Sequence, residues 1–431
     1  TYHRLLVLAP HCDDEALGAG GLIQAALRQG MDVHVVIATA GDGYRRATMA
    51  ESGRALPRPA DFIAMGELRQ QESLDAMSKL GLDPNAVIFL TYPERGLSAL
   101  WWDYWEDEQP YRSPYSGLAY NSYSRAFDPE VPYSGRALLR DLRRILATYR
   151  PDLIVAPHPL DEHGDHRALS AFVSLAVELE QADDAAFRPQ LLGYLVHYGL
   201  YPQPRGLRPE TSVSPPRQIE PIGEWLRWEL STQDLTAKYQ AVKAYHSQQR
   251  VLAYYLNAFV RRNELFMKMD SSISLEVVEG ESLPDTDSPR TIPHDVPAPR
   301  QSDPVDDSIV RRISGGADIE GLRLLRLGDY LLVGVDLRGR VSRIYQYDLY
   351  VRGVAAESSA TWSRRYSQAG DDVWKQSHTV WYRLDLNAME QPDWLALAAE
   401  TRRMMALDRT AWYVIRLEEG PQMFVAGDEA P

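Results

Sequence analysis

Two short segments of the chain concentrate side chains that can bind a divalent metal. The first reads Pro-His-Cys-Asp-Asp-Glu at positions 10–15, and the second reads His-Pro-Leu-Asp-Glu-His-Gly-Asp-His-Arg at positions 158–167. Imidazole and carboxylate are typical ligands of a catalytic zinc ion, which keeps one coordination position open for water. Such an ion acidifies water to near neutral pH and so supplies a nucleophile. The two clusters therefore predict a hydrolytic metal site.

The two neighbouring carboxylates of the first segment suggest a division of labour. One of Asp13 and Asp14 can bind the metal while the other accepts a proton. A single histidine is most often an ordinary core or surface residue, but two clusters of His and Asp at two predicted strand ends are harder to explain in that way. Cys12, the single cysteine of the chain, fits a small buried filler better than a ligand, and His158 fits either a supporting residue or a loop anchor.

Apolar periodicity in the first half of the chain predicts strands that alternate with helices. Residues 5–8 are a continuous apolar run, as expected for a strand buried on both faces. The same analysis predicts strands at 33–38, 87–90, 153–156 and 191–196, and helices at 16–29, 67–80, 136–149, from 167 onwards and over 235–269. The alternation predicts an α/β fold with a mostly parallel sheet covered by helices. Ligands of such sheets lie beyond the carboxyl ends of the strands, where the two segments can meet.

Composition divides the rest of the chain. Residues 101–134 are rich in aromatic side chains, and this composition predicts an insertion. The insertion forms one of three things: a sugar-stacking wall, a self-packed loop or an oligomer contact. Residues 276–306, rich in Pro and Asp, have linker composition. Period-two alternation in 307–431, with strands at 331–337, 341–351 and 412–417, predicts a smaller β-rich, sandwich-like domain that binds carbohydrate or only caps or dimerises the enzyme. The first domain is then 1–275.

Bulk composition limits the partners. The chain has 431 residues and a net charge of −14, so phosphate backbones are repelled and nucleic acid is not expected as a partner. One cysteine allows no disulfide within the chain, and no apolar run reaches the length of a membrane span. The appended β domain favours an extracytoplasmic setting over the cytoplasmic alternative. So does the start of the chain almost directly at an apolar strand, as expected if a leader or anchor was removed before the first residue. The compartment and the oligomeric state stay open.

The two metal-binding segments resemble the signatures of a known family. The first is similar to the Ala/Pro-His-Pro-Asp-Asp-Glu signature of the LmbE-like (PIG-L) metal-dependent de-N-acetylases, and the second to their His-x-x-His signature. Supporting stretches are Thr39-Ala40-Gly41-Asp42-Gly43, Arg69-x-x-Glu72, Leu80-Gly81, Tyr92-Pro93-Glu94-Arg95-Gly96-Leu97 and His246-Ser247-Gln248. The resemblance covers about residues 3–270. It implies a Rossmann-like fold, with helices on both faces of the sheet, and removal of acetyl groups, typically from substrates that contain N-acetylglucosamine.

The resemblance also implies roles for individual residues. By position, the family's metal ligands correspond to His11, Asp14 and His166. The general base that deprotonates water corresponds to Asp13, which should stay ionised beside the cation. The remaining correspondences are His163 as a protonated general acid or oxyanion stabiliser, Asp165 as the residue that orients His163, and Arg69 and Glu94 as contacts to sugar hydroxyls.

The chain departs from the family pattern at two positions. Cys12 replaces the usual proline, and Asp161 stands where some members place a tyrosine that assists the oxyanion, so Asp161 can instead support a ligand histidine. The prediction is thus a zinc-dependent N-deacetylase acting on a small-molecule or glycan substrate, with Fe²⁺ and Co²⁺ as alternative metals. The alternatives are a metal-dependent amidase or esterase on a non-sugar substrate, and a binding module without turnover.

Overall fold

The computed structural model describes residues 2–275, 300–303, 315–355, 361–368, 370, 372–389 and 392–417. The chain divides into two compact units, Thr1–Ser271 and Ser272–Pro431. Most of the predicted linker, 276–306, lies outside the described residues. At its end the structure differs from the prediction, because Arg300–Ser302 form a strand that pairs with 321–323 in a sheet of the second unit.

The first unit is built on one seven-stranded sheet. Its strands are β1 Arg4–Ala9, β2 Asp32–Thr39, β3 Val87–Tyr92, β4 Leu153–Pro157, β5 Gln190–Tyr194, β6 Trp225–Glu229 and β7 Asn263–Met269. Its helices are α1 Asp14–Arg28, α2 Arg45–Ser52, α3 Pro59–Lys79, α4 Leu97–Trp102, α5 Gly135–Tyr149, α6 Gly164–Asp183, α7 Thr232–Ala244 and α8 His246–Leu256. Among the described residues, no helix has both the length and the apolar character that a membrane crossing requires.

The strand order explains where a ligand can bind. The order is β3-β2-β1-β4-β5-β7-β6, with parallel pairing from β3 to β5 and antiparallel pairing of β7 with both β5 and β6. The predicted α/β fold with a mostly parallel sheet is confirmed. From β1 the chain winds in one direction to β2 and β3, and from β4 in the other direction to β5. The β1–β4 boundary is therefore the topological switch point, where open α/β sheets bind ligands.

Burial explains why these segments form central strands. Every residue of β1 after Arg4 is buried, and all five residues of β4 are buried as well. Strands covered by helices on both faces read as continuous apolar runs, which is the pattern present at 5–8 and 153–156. Both strands are short, so the polar segments that follow them begin at the edge of the core.

The helix predicted over 235–269 is wrong in its second half. Helix α7 ends at Ala244, because Tyr245 has non-helical backbone angles (φ −78°, ψ 65°), and α8 ends at Leu256. Residues Asn263–Met269 then form β7, which pairs with strands on both of its sides. This pairing buries Leu265 and Phe266, so the tertiary contacts outweigh the local apolar spacing that suggested a helix.

The aromatic insertion at 101–134 packs on itself and on the core. Trp101 is fully buried and meets the rings of Trp105 and Phe172 edge-on, with centroid distances of 5.8 and 4.8 Å. Tyr123 donates a hydrogen bond of 2.9 Å to the Oδ2 atom of Asp42. These contacts favour the self-packed loop among the three predicted possibilities.

The second unit is β-rich. Its strands are β8 Ile273–Ser274, β9 Arg300–Ser302, β10 Ile319–Leu327, β11 Tyr330–Leu337, β12 Gln346–Val354, β13 Thr361–Ser367, β14 Val373–Gln376, β15 Thr379–Asp385, β16 Trp394–Arg402, β17 Ala406–Arg409 and β18 Tyr413–Arg416. They form a sheet in the order β14-β15-β11-β10-β9 and another in the order β13-β12-β16-β18-β8, with β17 beside β16. Side chains of both sheets share one buried cluster, as in a sandwich, which confirms the β-rich prediction.

Two details of the second unit differ from the sequence-based expectation. The strand predicted over 341–351 begins only at Gln346. Three tryptophans that could offer a carbohydrate-binding surface pack against the rest of the unit: Trp381 is buried and stacks on Trp374, and Trp362 donates a hydrogen bond to the carbonyl of Met389. Trp381 is an interior residue, whereas Trp362 and Trp374 are half-buried against the core.

Candidate metal centre and active site

A cavity of about 440 Å³ lies at the carboxyl ends of the central strands of the first unit. Its lining consists of His11, Asp13, Asp14, Leu17, Tyr44, Arg69, Glu94, Arg95, Glu162, His163, His197, Tyr198, Gly199, Tyr201, Arg205, Gln248, Leu252, Tyr255 and Leu256. The lining combines acidic, basic and imidazole groups with several tyrosines. No residue of the aromatic insertion belongs to this lining, so the lining gives no support to a sugar-stacking wall formed by that segment.

The loop after β1 holds its acidic residues in a constrained turn. Asp13 has a φ of +135°, a backbone conformation that residues with a Cβ atom rarely adopt. The Oε2 atom of Glu15 accepts a hydrogen bond of 3.0 Å from the Asp13 amide, and the Oε1 atom accepts one from the hydroxyl of Tyr245. Strained conformations of this kind persist where the surroundings over-determine them, and they cluster at functional sites.

Three predicted ligands meet at one point. The Oδ2 atom of Asp14 lies 3.1 Å from the Nδ1 atom of His11 and 3.1 Å from the Nε2 atom of His166. Ligands at metal bonds of roughly 2.0–2.1 Å in a tetrahedron stand about 3.3 Å apart, so these atoms are spaced as neighbours around one ion. Both ring nitrogens of His166 are buried, and neither makes a hydrogen bond of acceptable geometry within the described residues. The donor set and the spacing fit a divalent metal.

Two carboxylates lie behind the ligand histidines. The Oδ2 atom of Asp165 is 3.0 Å from the Nε2 atom of His11, and the Oδ2 atom of Asp161 is 3.2 Å from the Nδ1 atom of His166. Carboxylates in this position fix the tautomer and orientation of a ligand histidine. The resemblance implied that Asp165 orients His163. In the structure the carboxylate of Asp165 bonds His11 and the backbone amides of Arg95 and Leu97, and one of its oxygens also lies within 4.8 Å of a ring nitrogen of His163.

The environments of Asp13 and Asp14 push their pKa values in opposite directions. Burial raises the pKa of Asp13 well above its usual range, although the Arg69 guanidinium opposes the shift. Burial acts in the same sense on Asp14, but the imidazoles of His166 and His11 outweigh it and hold the pKa of Asp14 well below its usual range. Because the charged form of Asp13 is disfavoured, its carboxylate has a stronger tendency to take up a proton, whereas Asp14 stays ionised as a ligand must.

Arg69 and Glu94 line the cavity and also form hydrogen bonds within the protein. Arg69 donates hydrogen bonds of 2.7 Å to the carbonyl of Cys12 and 3.1 Å to the Oε2 atom of Glu94, and its Nη2 atom lies 3.4 Å from the Oδ2 atom of Asp13. The same Glu94 oxygen accepts a hydrogen bond from the amide of Gly43. The pair therefore positions Asp13 and the loop after β2, in addition to bordering the cavity where substrate contacts were predicted.

His163 is placed as a neutral hydrogen-bond donor. It is the N-cap of α6, and its Nδ1 atom accepts a hydrogen bond of 3.2 Å from the amide of Asp165. Burial and the nearby charge of His11 lower the pKa of His163 to about 3. A neutral ring whose Nδ1 atom accepts must carry its proton on Nε2. The protonated His163 expected from the sequence thus differs from the structure, which favours a neutral donor.

Sequence reasoning missed His197 and Tyr255. Ligand atoms of His197, His11, Asp14 and His166 all lie within 4.8 Å of one another. His197 comes three residues after the last residue of β5, and the strand-end rule that selected the first two segments could have selected it too, had a single histidine carried more weight. Tyr255 belongs to α8 and approaches the site only through tertiary packing, and no local signal marks it.

Two other residues of the metal-binding segments are structural. Cys12 is fully buried, and burial raises the pKa of its thiol, as expected for a filler. His158 accepts a hydrogen bond from the amide of Leu160, stacks on Trp225 and is buried, which identifies it as a loop anchor.

Comparison with known proteins agrees with this geometry. Residues 6–177 match the model of the PIG-L family, described as GlcNAc-PI de-N-acetylase. The first unit contains a PIG-L (LmbE-like) domain. The match begins within β1 and ends within α6, so it includes β4 and the three predicted ligands. The resemblance inferred from the two signatures is confirmed.

Solved structures similar to the chain include two deacetylases and a hydratase. The N,N'-diacetylchitobiose deacetylase from Pyrococcus horikoshii is 18% identical over 63% of this chain and 85% of that chain, with a TM-score of 0.40. A deacetylase of the teicoplanin biosynthesis pathway is 18% identical over 62% of this chain and 100% of that chain, with a TM-score of 0.40. The 4-carboxy-2-hydroxymuconate hydratase from Pseudomonas putida is 16% identical over 65% of this chain and 100% of that chain, with a TM-score of 0.38. No curated protein sequence matches the chain.

Proposed function

We propose that the first unit is a zinc-dependent N-deacetylase that hydrolyses the acetamide of an N-acetylglucosamine-type sugar or glycoconjugate. The observation that carries the proposal is the placement of two adjacent carboxylates: the Oδ2 atom of Asp14 lies 3.1 Å from a ring nitrogen of both His11 and His166, whereas Asp13 lines the same cavity. The opposite directions of their pKa shifts agree with a ligand role for Asp14 and a base role for Asp13. The description of the matching family, a de-N-acetylase of a GlcNAc-containing lipid, supports an acetamide as the bond that is cleaved.

His11, Asp14 and His166 would hold the metal. When bound, a divalent cation supplies an electrophile for the amide carbonyl and acidifies water. Asp13 takes the proton of the attacking water, a step for which its raised pKa is suited. The carbon–oxygen bond forms, the amide carbonyl becomes an oxyanion, and the carbon–nitrogen bond then breaks as the amine is protonated.

His163 provides the second catalytic group. The amide of Asp165 donates its hydrogen bond to the Nδ1 atom of His163 and not to Nε2, and the ring of His163 lines the cavity. A hydrogen bond from the Nε2–H group to the developing oxyanion stabilises the transition state. Because His163 is neutral, the proton that Asp13 has accepted is the one available to the leaving amine. Of the two roles that the resemblance implied for His163, general acid and oxyanion stabiliser, the proposal assigns it the second.

Acetate release tests the proposal. Zinc-loaded full-length protein is assayed with N-acetylglucosamine, short N-acetylated oligosaccharides, N-acetylglucosaminyl lipids and small non-sugar acetamides and esters. The proposal expects acetate from at least one amino-sugar substrate, and a loss of about 10²–10⁴-fold in kcat for Asp13→Asn with metal content retained. The matched control is Asp75→Asn, on the exposed face of α3, which should behave as wild type.

Each contrary result has a defined meaning. Turnover of non-sugar amides or esters alone would replace the sugar substrate by a general amidase or esterase. Absence of acetate from every substrate, with zinc bound, would overturn the enzymatic proposal and leave a binding module.

A further inference from the structure

We propose that His197 is a fourth ligand of the metal centre, which makes the set three histidines and one aspartate. The inference rests on the proposed function only in taking the site of His11, Asp14 and His166 to bind a divalent cation. With four protein ligands, water would enter as a fifth ligand, an expansion that zinc allows. Neither the two signature segments nor the matched range 6–177 includes His197, so the ligand belongs to the part of the unit outside the family match.

Position is the first argument. The ligand atoms of His197, His11, Asp14 and His166 lie within 4.8 Å of one another. The rings of His197 and His166 have centroids 4.9 Å apart and an interplanar angle of 78°, so they meet edge to face. His197 also borders the cavity. A third imidazole therefore places a ring nitrogen in the same cluster as the ligand atoms of the predicted trio.

The hydrogen bonds of Tyr255 set the tautomer of His197. The hydroxyl of Tyr255 lies 2.8 Å from the carbonyl oxygen of Val196 and 3.2 Å from the Nδ1 atom of His197. A carbonyl oxygen only accepts, so the single phenolic proton is used there, and the contact to Nδ1 is favourable only when Nδ1 carries a proton. The Nε2 atom of the neutral ring then presents a lone pair, which is the form that binds a metal.

Asp161 fixes the backbone from which His197 projects. Its Oδ2 atom accepts hydrogen bonds from the amides of Val196 at 3.0 Å and His197 at 2.9 Å. The same oxygen lies 3.2 Å from the Nδ1 atom of His166. One buried carboxylate thus connects the end of β5 with an established ligand candidate, and it sets the two histidines relative to each other. Carboxylates that hydrogen-bond to the residues that bind a metal orient those residues and strengthen metal binding.

The main alternative is that His197 contacts substrate as a donor. That role requires a proton on the Nε2 atom of His197. The Nδ1 atom of the neutral ring would then be an acceptor that faces the hydroxyl oxygen of Tyr255. This contact is unfavourable, because the hydroxyl proton is already donated to the carbonyl of Val196. The hydrogen bonds therefore favour the ligand over the donor.

Metal affinity and the spectrum of bound Co²⁺ test the inference. Full-length wild type, His197→Ala, His197→Gln and Tyr255→Phe are compared by competition with a chelator for Zn²⁺ and by visible absorption after loading with Co²⁺. His246→Ala, which removes an exposed histidine outside the cavity lining, is the matched control. Circular dichroism confirms that each variant is folded, and Tyr255→Phe keeps the test open if both His197 variants unfold.

The expected effects are graded. Losing the ligand should weaken Zn²⁺ binding by about 100-fold or more, since even residues that only orient a ligand cost about 10–100-fold. Tyr255→Phe should cost about 10-fold, and the Co²⁺ bands of the His197 variants should shift as a nitrogen ligand is lost. Unchanged affinity and an unchanged Co²⁺ spectrum in folded His197→Ala would overturn the inference, whether or not acetate release falls. Tight metal binding by wild type without deacetylation would instead count against the proposed function and leave His197 as a ligand.

Discussion

The Oδ2 atom of Asp165 lies 3.0 Å from the Nε2 atom of His11, and a carboxylate oxygen of Asp165 also lies within 4.8 Å of a ring nitrogen of His163, two residues away in sequence. The other ring nitrogen of His11 faces Asp14 at 3.1 Å. His11 is thereby bonded on both sides, with the ligand carboxylate in front and the orienting carboxylate behind. This relationship links the loop after β4 to the loop after β1, and it makes Asp165 part of the support of the metal centre.

Asp165→Asn should therefore act through the metal. An amide in place of the carboxylate no longer favours the same tautomer of His11. Removal of a carboxylate that orients a ligand histidine typically weakens metal binding by about 10–100-fold. We expect a loss of that order in Zn²⁺ affinity by chelator competition, with activity restored towards wild type at saturating zinc. A loss of kcat that saturating zinc leaves unchanged would return Asp165 to the role of orienting His163.

Asp14→Ala should abolish stoichiometric metal binding. The variant removes the one carboxylate that both His11 and His166 approach at 3.1 Å. Elemental analysis after dialysis should find about one metal ion per wild-type chain and much less than one in the variant, because the variant lacks the charged ligand that lies between the two histidines. Asp75→Ala, on an exposed helix face, is the control, and equal metal content in Asp14→Ala and wild type would refute the ligand set.

Arg69→Met should move the pH profile. Arg69 opposes the effect of burial on Asp13, so its removal raises the pKa of Asp13 further, and the acid limb of kcat/KM shifts to higher pH. The variant also leaves Asp13 and Glu94 without their buried cation, which should cost about 3–5 kcal/mol in the free energy of unfolding.

The two readouts separate the roles of Arg69. Urea unfolding measures the stability, and the pH dependence of acetate release measures the shift of the acid limb. Arg69→Lys keeps the positive charge, so it should shift the acid limb of the pH profile less than Arg69→Met does. An acid limb at the wild-type pH in Arg69→Met would show that Asp13 is not the base.

Metal affinity should increase with pH. Asp161 and Asp14 outweigh the effect of burial and raise the pKa of His166 to about 9. Below that pH the imidazole is protonated in the metal-free protein, so a cation must displace a proton, and the Zn²⁺ affinity should rise about tenfold per pH unit for each displaced proton. Isothermal titration in buffers of different ionisation enthalpy counts the released protons, and an affinity independent of pH between 6 and 8 would contradict this.

The same shift predicts a stability change in the metal-free protein. A raised pKa in the folded state means that the folded protein holds a proton which the unfolded chain loses at a pKa of about 6.5. The stabilisation from His166 is complete below that pH and is lost as pH rises through about 9. Thermal unfolding of chelator-treated protein should therefore give a Tm that decreases between pH 6.5 and 9. His166→Gln should flatten this dependence.

Much of the site could be read from the sequence because its parts are local. The apolar runs at 5–8 and 153–156 identify β1 and β4, and each is followed directly by its polar segment. Parallel strands place their carboxyl ends at one edge of a sheet, so His11 and His166 were expected to meet without knowledge of the strand order. The signatures then supplied the roles of Asp13 and Asp14.

Only the tertiary structure decided which partners these residues have. Whether Asp165 faces His11 or His163, and whether Arg69 touches substrate or Asp13, depends on side chains brought together across the β1–β4 boundary from distant parts of the chain. His197 shows the same limit: a single histidine after a predicted strand carries little weight, and its place near the metal follows from β5 lying beside β4. Periodicity specifies the type of an element, whereas sheet order and packing specify which side chains meet.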